Sequence, residues 1–276
     1  MPFNTTIKPA QIEFVAQPSA SFTQAYNVIN NTDSPLLVNT SVLPWLPQGN
    51  DGSINYNNVP TNPHFEFSLN NSDLRLDQSF VLRPHENRQL VLKIKSLGSN
   101  PLGDSYFTFF INQDVSRQAN IEGSGGQATA RIGSHILIST SNTENPTSNL
   151  STSKIFVSSK IVDIFYPPIN ITGLVTNSSD YFNKITGKLV ITKNSQKITE
   201  TELFPSNVLA HSSRQIACLS DDNPTTCTLS PPYWPGVYTV TINNLSTTFY
   251  VFPFSILIFC TILGGFIFSI IRKNKT

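Results

Sequence analysis

Twenty-three consecutive residues near the C-terminus, 249–271, carry no charged side chain. A run of that length and apolarity constrains everything that precedes it. As a helix it rises about 35 Å, enough to cross a hydrocarbon core of roughly 30 Å with some tilt. Gly264 and Gly265 lie inside it, and glycines are tolerated in membrane helices. Pro253 falls in the expected first turn, where a missing N–H costs least. The chain then closes with Arg272, Lys273, Asn274, Lys275 and Thr276. By the positive-inside rule, Arg272, Lys273 and Lys275 are topology anchors that hold the tail in the cytoplasm. The expectation is a single-pass cell-membrane protein with its N-terminal domains extracellular and its C-terminus cytoplasmic.

That orientation requires an export signal. Met1, Pro2, Phe3, Asn4 and Thr5 supply neither a basic n-region nor an apolar h-region. A signal upstream of Met1 is therefore expected. The other route, late insertion as a tail anchor, leaves the bulk of the chain in the cytoplasm and reverses the charge rule.

The residues before the run are enough for two domains, each with its own core. Charged residues make up 13% of the chain and the net charge is +1, so no basic patch is implied and nucleic acid is excluded as a partner. The abundance of Asn, Ser, Thr and Pro, with 1 Met, fits a β-rich surface protein better than a helical enzyme.

Short alternating apolar runs recur outside the span. Residues 11–15, 21–30, 36–43, 64–69, 79–82, 88–95, 105–111 and 134–139 read as strands separated by turn sequences such as Asn31-Thr32-Asp33-Ser34-Pro35. Their spacing is that of an antiparallel sandwich. Residues 141–153 are polar and aperiodic and read as a linker. The pattern resumes at 160–166, 171–177, 185–193, 196–203, 214–218 and 236–242. The fold class is thus all-β: two immunoglobulin-like β-sandwich domains, 1–140 distal and 154–248 membrane-proximal, followed by a single transmembrane helix, 249–271, and a basic tail, 272–276. Cys218 and Cys227 flank the turn sequence Leu219-Ser220-Asp221-Asp222-Asn223-Pro224-Thr225-Thr226. A hairpin there brings them within reach of a disulfide, which an exported location permits, although two reduced thiols at a strand end also fit. Cys260 lies in the span as a small apolar filler.

Several segments carry a resemblance to a known family. They are Ile7-Lys8-Pro9 through Val28-Ile29-Asn30-Asn31; Ser79-Phe80-Val81-Leu82-Arg83-Pro84-His85-Glu86-Asn87-Arg88; Pro101-Leu102-Gly103-Asp104-Ser105-Tyr106; and Ala130-Arg131-Ile132-Gly133-Ser134-His135-Ile136. Asn207-Val208-Leu209-Ala210-His211-Ser212-Ser213-Arg214 and Trp234-Pro235-Gly236-Val237-Tyr238 match in the second half. With these the chain resembles bacterial cell-surface proteins of the WxL-interacting type and, more distantly, the N-terminal domain of periplasmic pilus chaperones. The resemblance implies a cell-envelope protein that binds peptidoglycan or an exported surface protein, without catalysis. Motifs of this kind are more specific for fold than for function. The chain departs from the family in lacking a signal peptide and in its Asn/Ser-rich loops. A pilus chaperone needs a soluble form and basic residues that anchor a subunit; Lys8 stands where one such residue is expected, but the apolar span argues against that role.

No enzymatic motif emerges. His64, His85, His135 and His211 are too far apart in sequence for a metal motif. There is no nucleophile elbow, P-loop or zinc spacing, and Glu122 has no neighbouring acid. Gly123-Ser124-Gly125-Gly126 lacks the following lysine and helix that phosphate binding needs. Asn50-Asp51-Gly52-Ser53-Ile54-Asn55 has oxygen ligands at calcium-loop spacing but no downstream Glu, so it reads as a turn; Asp221 and Asp222 read the same way. No cofactor is expected. Trp45 and Trp234 sit on rigid proline turns. With Tyr233 they are the candidate ligand contacts, against the alternative that they plug sandwich ends or, for Tyr233 and Trp234, lie at the bilayer surface. The sequons at Asn4, Asn30, Asn39, Asn70, Asn149, Asn170, Asn177 and Asn244 are read as products of composition. The functional expectation is a non-enzymatic, membrane-anchored surface protein that binds a cell-wall polymer or an exported protein. The alternative is an assembly chaperone or scaffold for surface appendages that acts by strand addition at a sheet edge.

Overall fold

A computed structural model describes residues 3–57, 59–60, 63–98, 101–114, 130–231 and 233–273. The chain is mostly β and divides into two compact units. The first comprises Met1–Gln48, Gly52–Ser148 and Asp180–Phe182; the second comprises Gly49–Asp51, Asn149–Ser179 and Asn183–Thr276.

The first unit contains β1 (Thr5–Lys8), β2 (Gln11–Ala16), β3 (Ser21–Asn30), β4 (Leu36–Pro44), β5 (Leu46–Gln48), β6 (Ser53–Asn55), β7 (Phe65–Leu69), β8 (Phe80–Leu82), β9 (Asn87–Ser96), β10 (Gly103–Gln113) and β11 (Arg131–Thr140). One sheet runs β1-β3-β9-β7 and the other β2-β11-β10-β4-β8. Alternation along the strands sends Tyr26, Val28, Leu90, Leu92 and Ile94 from the first sheet against Val38, Phe109, Ile111, Ile136 and Ile138 from the second, all fully buried. The chain changes sheets at the cis Lys8–Pro9 bond: β1 pairs with β3, and β2 then runs parallel to β11.

The second unit contains β12 (Leu150–Val157), β13 (Ile161–Val162), β14 (Ile169–Asn177), β15 (Asn183–Lys184), β16 (Lys188–Lys193), β17 (Gln196–Glu202), β18 (Asn207–Val208), β19 (Ser213–Gln215), β20 (Cys218–Ser220), β21 (Asn223–Thr225), β22 (Cys227–Leu229), β23 (Gly236–Ile242), β24 (Leu245–Val251) and α1 (Phe254–Lys273). Its sheets are β12-β14-β19, with β22 also on β14, and β13-β24-β23-β16-β17. Ile169, Ile171, Ile191, Val240, Ile242 and Phe249 form the centre of its core.

Three boundaries differ from those read in the sequence. The expected linker 141–153 contains the start of β12, whose Leu-Ser-Thr-Ser pattern lacks the apolar alternation that marks a strand. The apolar run does not begin as a helix. Phe249 and Val251 belong to β24, buried in the core of the second sandwich, and the helix starts only at Phe254. A strand buried on one side and a lipid helix are both apolar, so composition does not separate them here. The expected strand at 160–166 shortens to β13 because Asp163 turns to the helix. Its carboxylate accepts from Ser255 N at 2.7 Å, Ser255 Oγ at 2.8 Å and Phe165 N at 3.0 Å. This caps the first turn of α1, and the Ser255 backbone bond is the main reason the Asp163 carboxyl is held below its usual pKa. Among the described residues no helix is long and apolar enough to cross a membrane; the described side chains of α1 run unbroken only over 254–268.

One corner is built twice. Asn30, fully buried at the end of β3, donates from Nδ2 to Leu82 O at 3.2 Å, Arg83 O at 3.0 Å and Ser34 O at 2.9 Å. Its Oδ1 accepts from Thr32 N at 3.0 Å. Asn177, buried at the end of β14, donates to Val208 O at 3.0 Å and accepts from Ser179 N at 3.0 Å. The backbone repeats too. Asn30 N bonds Glu86 O at 3.0 Å and Asn177 N bonds Ser212 O at 2.9 Å, while Val28 faces Arg88 and Val175 faces Arg214. His85 and His211 take the same left-handed conformation in the two corners, with φ of 55° and 53°. Val28-Ile29-Asn30-Asn31-Thr32 and Val175-Thr176-Asn177-Ser178-Ser179 are therefore equivalent. Two sequons read as compositional are the signature of this corner.

Asp104, half-buried in β10, accepts from Ser139 Oγ at 2.6 Å and Tyr106 Oη at 2.7 Å. Burial nonetheless raises its pKa, with these two bonds opposing.

Three outcomes are expected. Asn30→Ala and Asn177→Ala each remove the buried carboxamide's bonds across the corner and cost their own unit roughly 2–4 kcal/mol, read as a lowered transition in calorimetry of the full chain. Reducing the Cys218–Cys227 disulfide frees a short loop and costs the second unit about 2.5 kcal/mol, read in the same way with and without reductant. Asp104 binds its proton more tightly folded than unfolded. Its contribution is therefore fully present below the ordinary carboxylate pKa and is lost as pH rises through the raised value. Asp104→Asn flattens that part of the stability–pH curve.

Candidate functional site

The sheet switch after Lys8 leaves one flank of the first sandwich open. β1 pairs with β3 only at residues 27–30, so residues 21–26 have β9 on one side and, among the described residues, no strand on the other. β2 lies at the end of its own sheet, with β11 as its one strand partner among the described residues. Two bare edges, one from each sheet, thus border a cleft of about 970 Å³. Ile12, Phe14, Val15 and Phe22 supply its apolar wall. Ile12, Phe14 and Phe22 are the inward positions of their strands but are only partly buried, and Val15 is exposed. Phe14 and Phe22 meet edge to face, with centroids 3.9 Å apart. The lip carries Glu13 and Glu144 with Gln17, Gln24 and Thr143, and no basic side chain lines it. Gln11 Nε2 donates to Glu13 Oε1 at 2.7 Å and orients that carboxylate beside the edge. A bare strand edge offers a row of N–H and C=O groups to an extended chain, and the apolar wall offers pockets for its alternate side chains.

The residues singled out in the sequence scatter. Trp45 is buried at 4% exposure, stacked on Tyr106 at 5.0 Å and edge-on to His135 at 5.5 Å. Tyr233 is equally buried; its hydroxyl donates to Leu229 O at 2.7 Å and accepts from Ile169 N at 3.2 Å. Both rings are buried, the position expected of aromatics that plug a sandwich end. Trp234 is 69% exposed. Cys218 and Cys227 form the disulfide, and Cys260 is a free, exposed thiol. Arg272 is exposed and Lys273 ends α1; Lys275 lies outside the described residues, as do Glu122 and 123–126.

His135 Nδ1 bonds Thr108 Oγ1 at 2.9 Å, and burial lowers its pKa. His85 pairs with Asp33 at 2.9 Å on the surface. His64 is half-buried and His211 sits in the repeated corner. Residues 50–55 form the turn into β6, with Asn50 O accepting from Gln215 N at 2.7 Å. Asp221 and Asp222 take left-handed conformations between β20 and β21. Among the described residues no cluster of three or more His, Cys, Asp or Glu side chains is placed to hold a metal ion.

Sequence reasoning missed the open flank. Its one trace is Pro9 between two short strands: a proline that ends one edge pairing before the next begins.

No family model and no curated protein sequence matches the chain. Solved structures do. The class 5 fimbriae chaperone CfaA is 10% identical with a TM-score of 0.42, over 91% of this chain and 100% of that one. The E. coli chaperone DraB is 13% identical with a TM-score of 0.41, over 90% and 97%. The ASH/PapD-like domain of human CEP192 is 13% identical with a TM-score of 0.33, over 51% and 87%. All three likenesses are distant.

Proposed function

We propose that this chain is a non-enzymatic, membrane-anchored cell-surface protein whose first sandwich captures an extended segment of an exported polypeptide by strand addition. The open flank carries the proposal. Two bare edges and a partly exposed Phe14–Phe22 pair beside one cleft are what an added strand needs: backbone partners, an apolar seat and an acidic lip that favours basic residues on the incoming segment. The role is that of a chaperone or scaffold for surface appendages, the second of the two roles read from the sequence. The proposal keeps the layout of the WxL-interacting surface proteins that the sequence resembles.

The anchor is α1. Its uncharged part, 254–271, is 18 residues and rises about 27 Å, near the thickness of a hydrocarbon core. Every described side chain over 256–268 is exposed, on all faces of the helix. A helix apolar all round is stable only when something apolar surrounds it. In this reading Arg272, Lys273 and Lys275 hold the cytoplasmic side.

Binding of a wall polymer is the competing reading. Its support narrows to Trp234, because Trp45 and Tyr233 are buried.

The test is hydrogen exchange on the full chain in lipid nanodiscs, with a panel of synthetic peptides that alternate apolar residues with lysine or serine. Strand addition slows exchange at β2 and at residues 21–26, and Phe14→Asp abolishes the effect. Binding to purified cell walls stripped of protein, with no protection from any peptide, sinks the proposal in favour of the polymer.

A further inference from the structure

The end of the second sandwich from which α1 departs is an aromatic surface. The register of the β23–β24 hairpin sets Gly236 opposite Val251 and Val237 opposite Tyr250. Trp234, two residues before Gly236, therefore lies at the same end as Phe252 and Phe254, which lead into the helix. β13 runs beside β24 with Val162 on Val251, so the turn that follows it, carrying Phe165, reaches this end too. Phe165 is 74% exposed, Trp234 69%, Phe252 46% and Phe254 45%, although a sandwich end normally folds such rings inward. The rings of Phe252 and Phe254 pack at 4.8 Å, leaving their outer faces open.

Two further features of this end agree. The turn after β16 also lies here: Asn194 N bonds Val237 O at 3.0 Å, placing Lys193 beside Gly236. In the stretches that compose the end, 160–168, 192–195, 233–237 and 250–255, the sequence has one acid, Asp163. That carboxylate is turned onto the first turn of α1. The same cap, with Phe252 N bonding Val162 O at 2.9 Å, ties the helix start to the sandwich at two points.

We infer that this end of the second sandwich seats on the bilayer, with Trp234, Phe165, Phe252 and Phe254 in the headgroup and upper acyl zone and Lys193 at phosphate level. The inference rests on the reading of α1 as the membrane anchor. The occupant follows from continuity: the exposed apolar surface of α1 runs without a break into this end through Phe254 and Phe252. Aromatic rings favour the interface between water and hydrocarbon, where the ring is half desolvated and the indole N–H still finds a partner. The second sandwich is then held against the membrane, not on a flexible stalk.

Trp234 is its own reporter, since the one other tryptophan, Trp45, is buried in the first sandwich. The full chain is reconstituted into phosphatidylcholine–phosphatidylglycerol vesicles that carry bromines either near the headgroup or deep in the acyl chains. Alkaline carbonate extraction is run on the same samples. The expected result is protein retained after carbonate and a loss of emission at least about twofold greater with shallow than with deep bromines, since interfacial indole lies near the headgroups. Trp234→Phe removes that loss. Retention without shallow quenching overturns the seating and leaves the anchor reading intact. Release by carbonate overturns the anchor reading and the seating with it.

Discussion

A single buried amide in each sandwich, Asn30 in one and Asn177 in the other, is the interaction on which the rest depends. Apolar faces hold two sheets together without specifying how they align, because a slipped pair buries nearly as much surface. A buried carboxamide is less forgiving. It needs its donors and acceptor satisfied, and only one alignment of strand end and facing turn does that. Asn30 sits on the β1-β3-β9-β7 sheet and bonds the carbonyls of Leu82, the last residue of β8 on the other sheet, and of Arg83 after it. Asn177 bonds Val208 O at the corresponding place. A duplicated Val-x-Asn-x-Thr/Ser segment thus locks two sandwiches that otherwise differ in length, loops and disulfide content.

The same logic explains where the first sandwich is incomplete. One chain segment cannot cover the edges of both sheets along their whole length. The segment before Lys8 covers the far half of β3 and the segment after Pro9 covers β11. What neither covers is the near half of β3 and the outer edge of β2. The sandwich leaves there a partly exposed Phe14–Phe22 pair and, among the described residues, backbone with no strand partner on that side. Natural proteins usually blunt such edges with charge or proline. Here the lip carries two acids, Glu13 and Glu144.

At the other end of the chain, the last strand passes into the helix through only Phe252 and Pro253. Phe249 and Val251 are core residues of the second sandwich, and three positions after Val251 the chain is helical, with every described side chain from 256 to 268 exposed. Asp163 makes the transition sharp. It offers acceptors to the first helical N–H groups, where no intrahelical acceptor exists. The sequence shows apolar residues throughout this stretch and does not reveal that their environment changes within it.

By itself the sequence determined the β character, the two-part organisation, most strand positions and the proximity of Cys218 to Cys227. All of these follow from local alternation, turn chemistry and short spacing. Strand 236–242, strictly alternating, is legible residue for residue. Tertiary structure alone decided which proline-bound aromatics point inward, since Trp45 and Tyr233 are buried and Trp234 is not. It also decided that two sequons are buried corners, and that β2 and β3 leave an open flank. Those outcomes depend on which edges remain unpaired after every strand has found its neighbours, a property of the whole pairing and of no single segment.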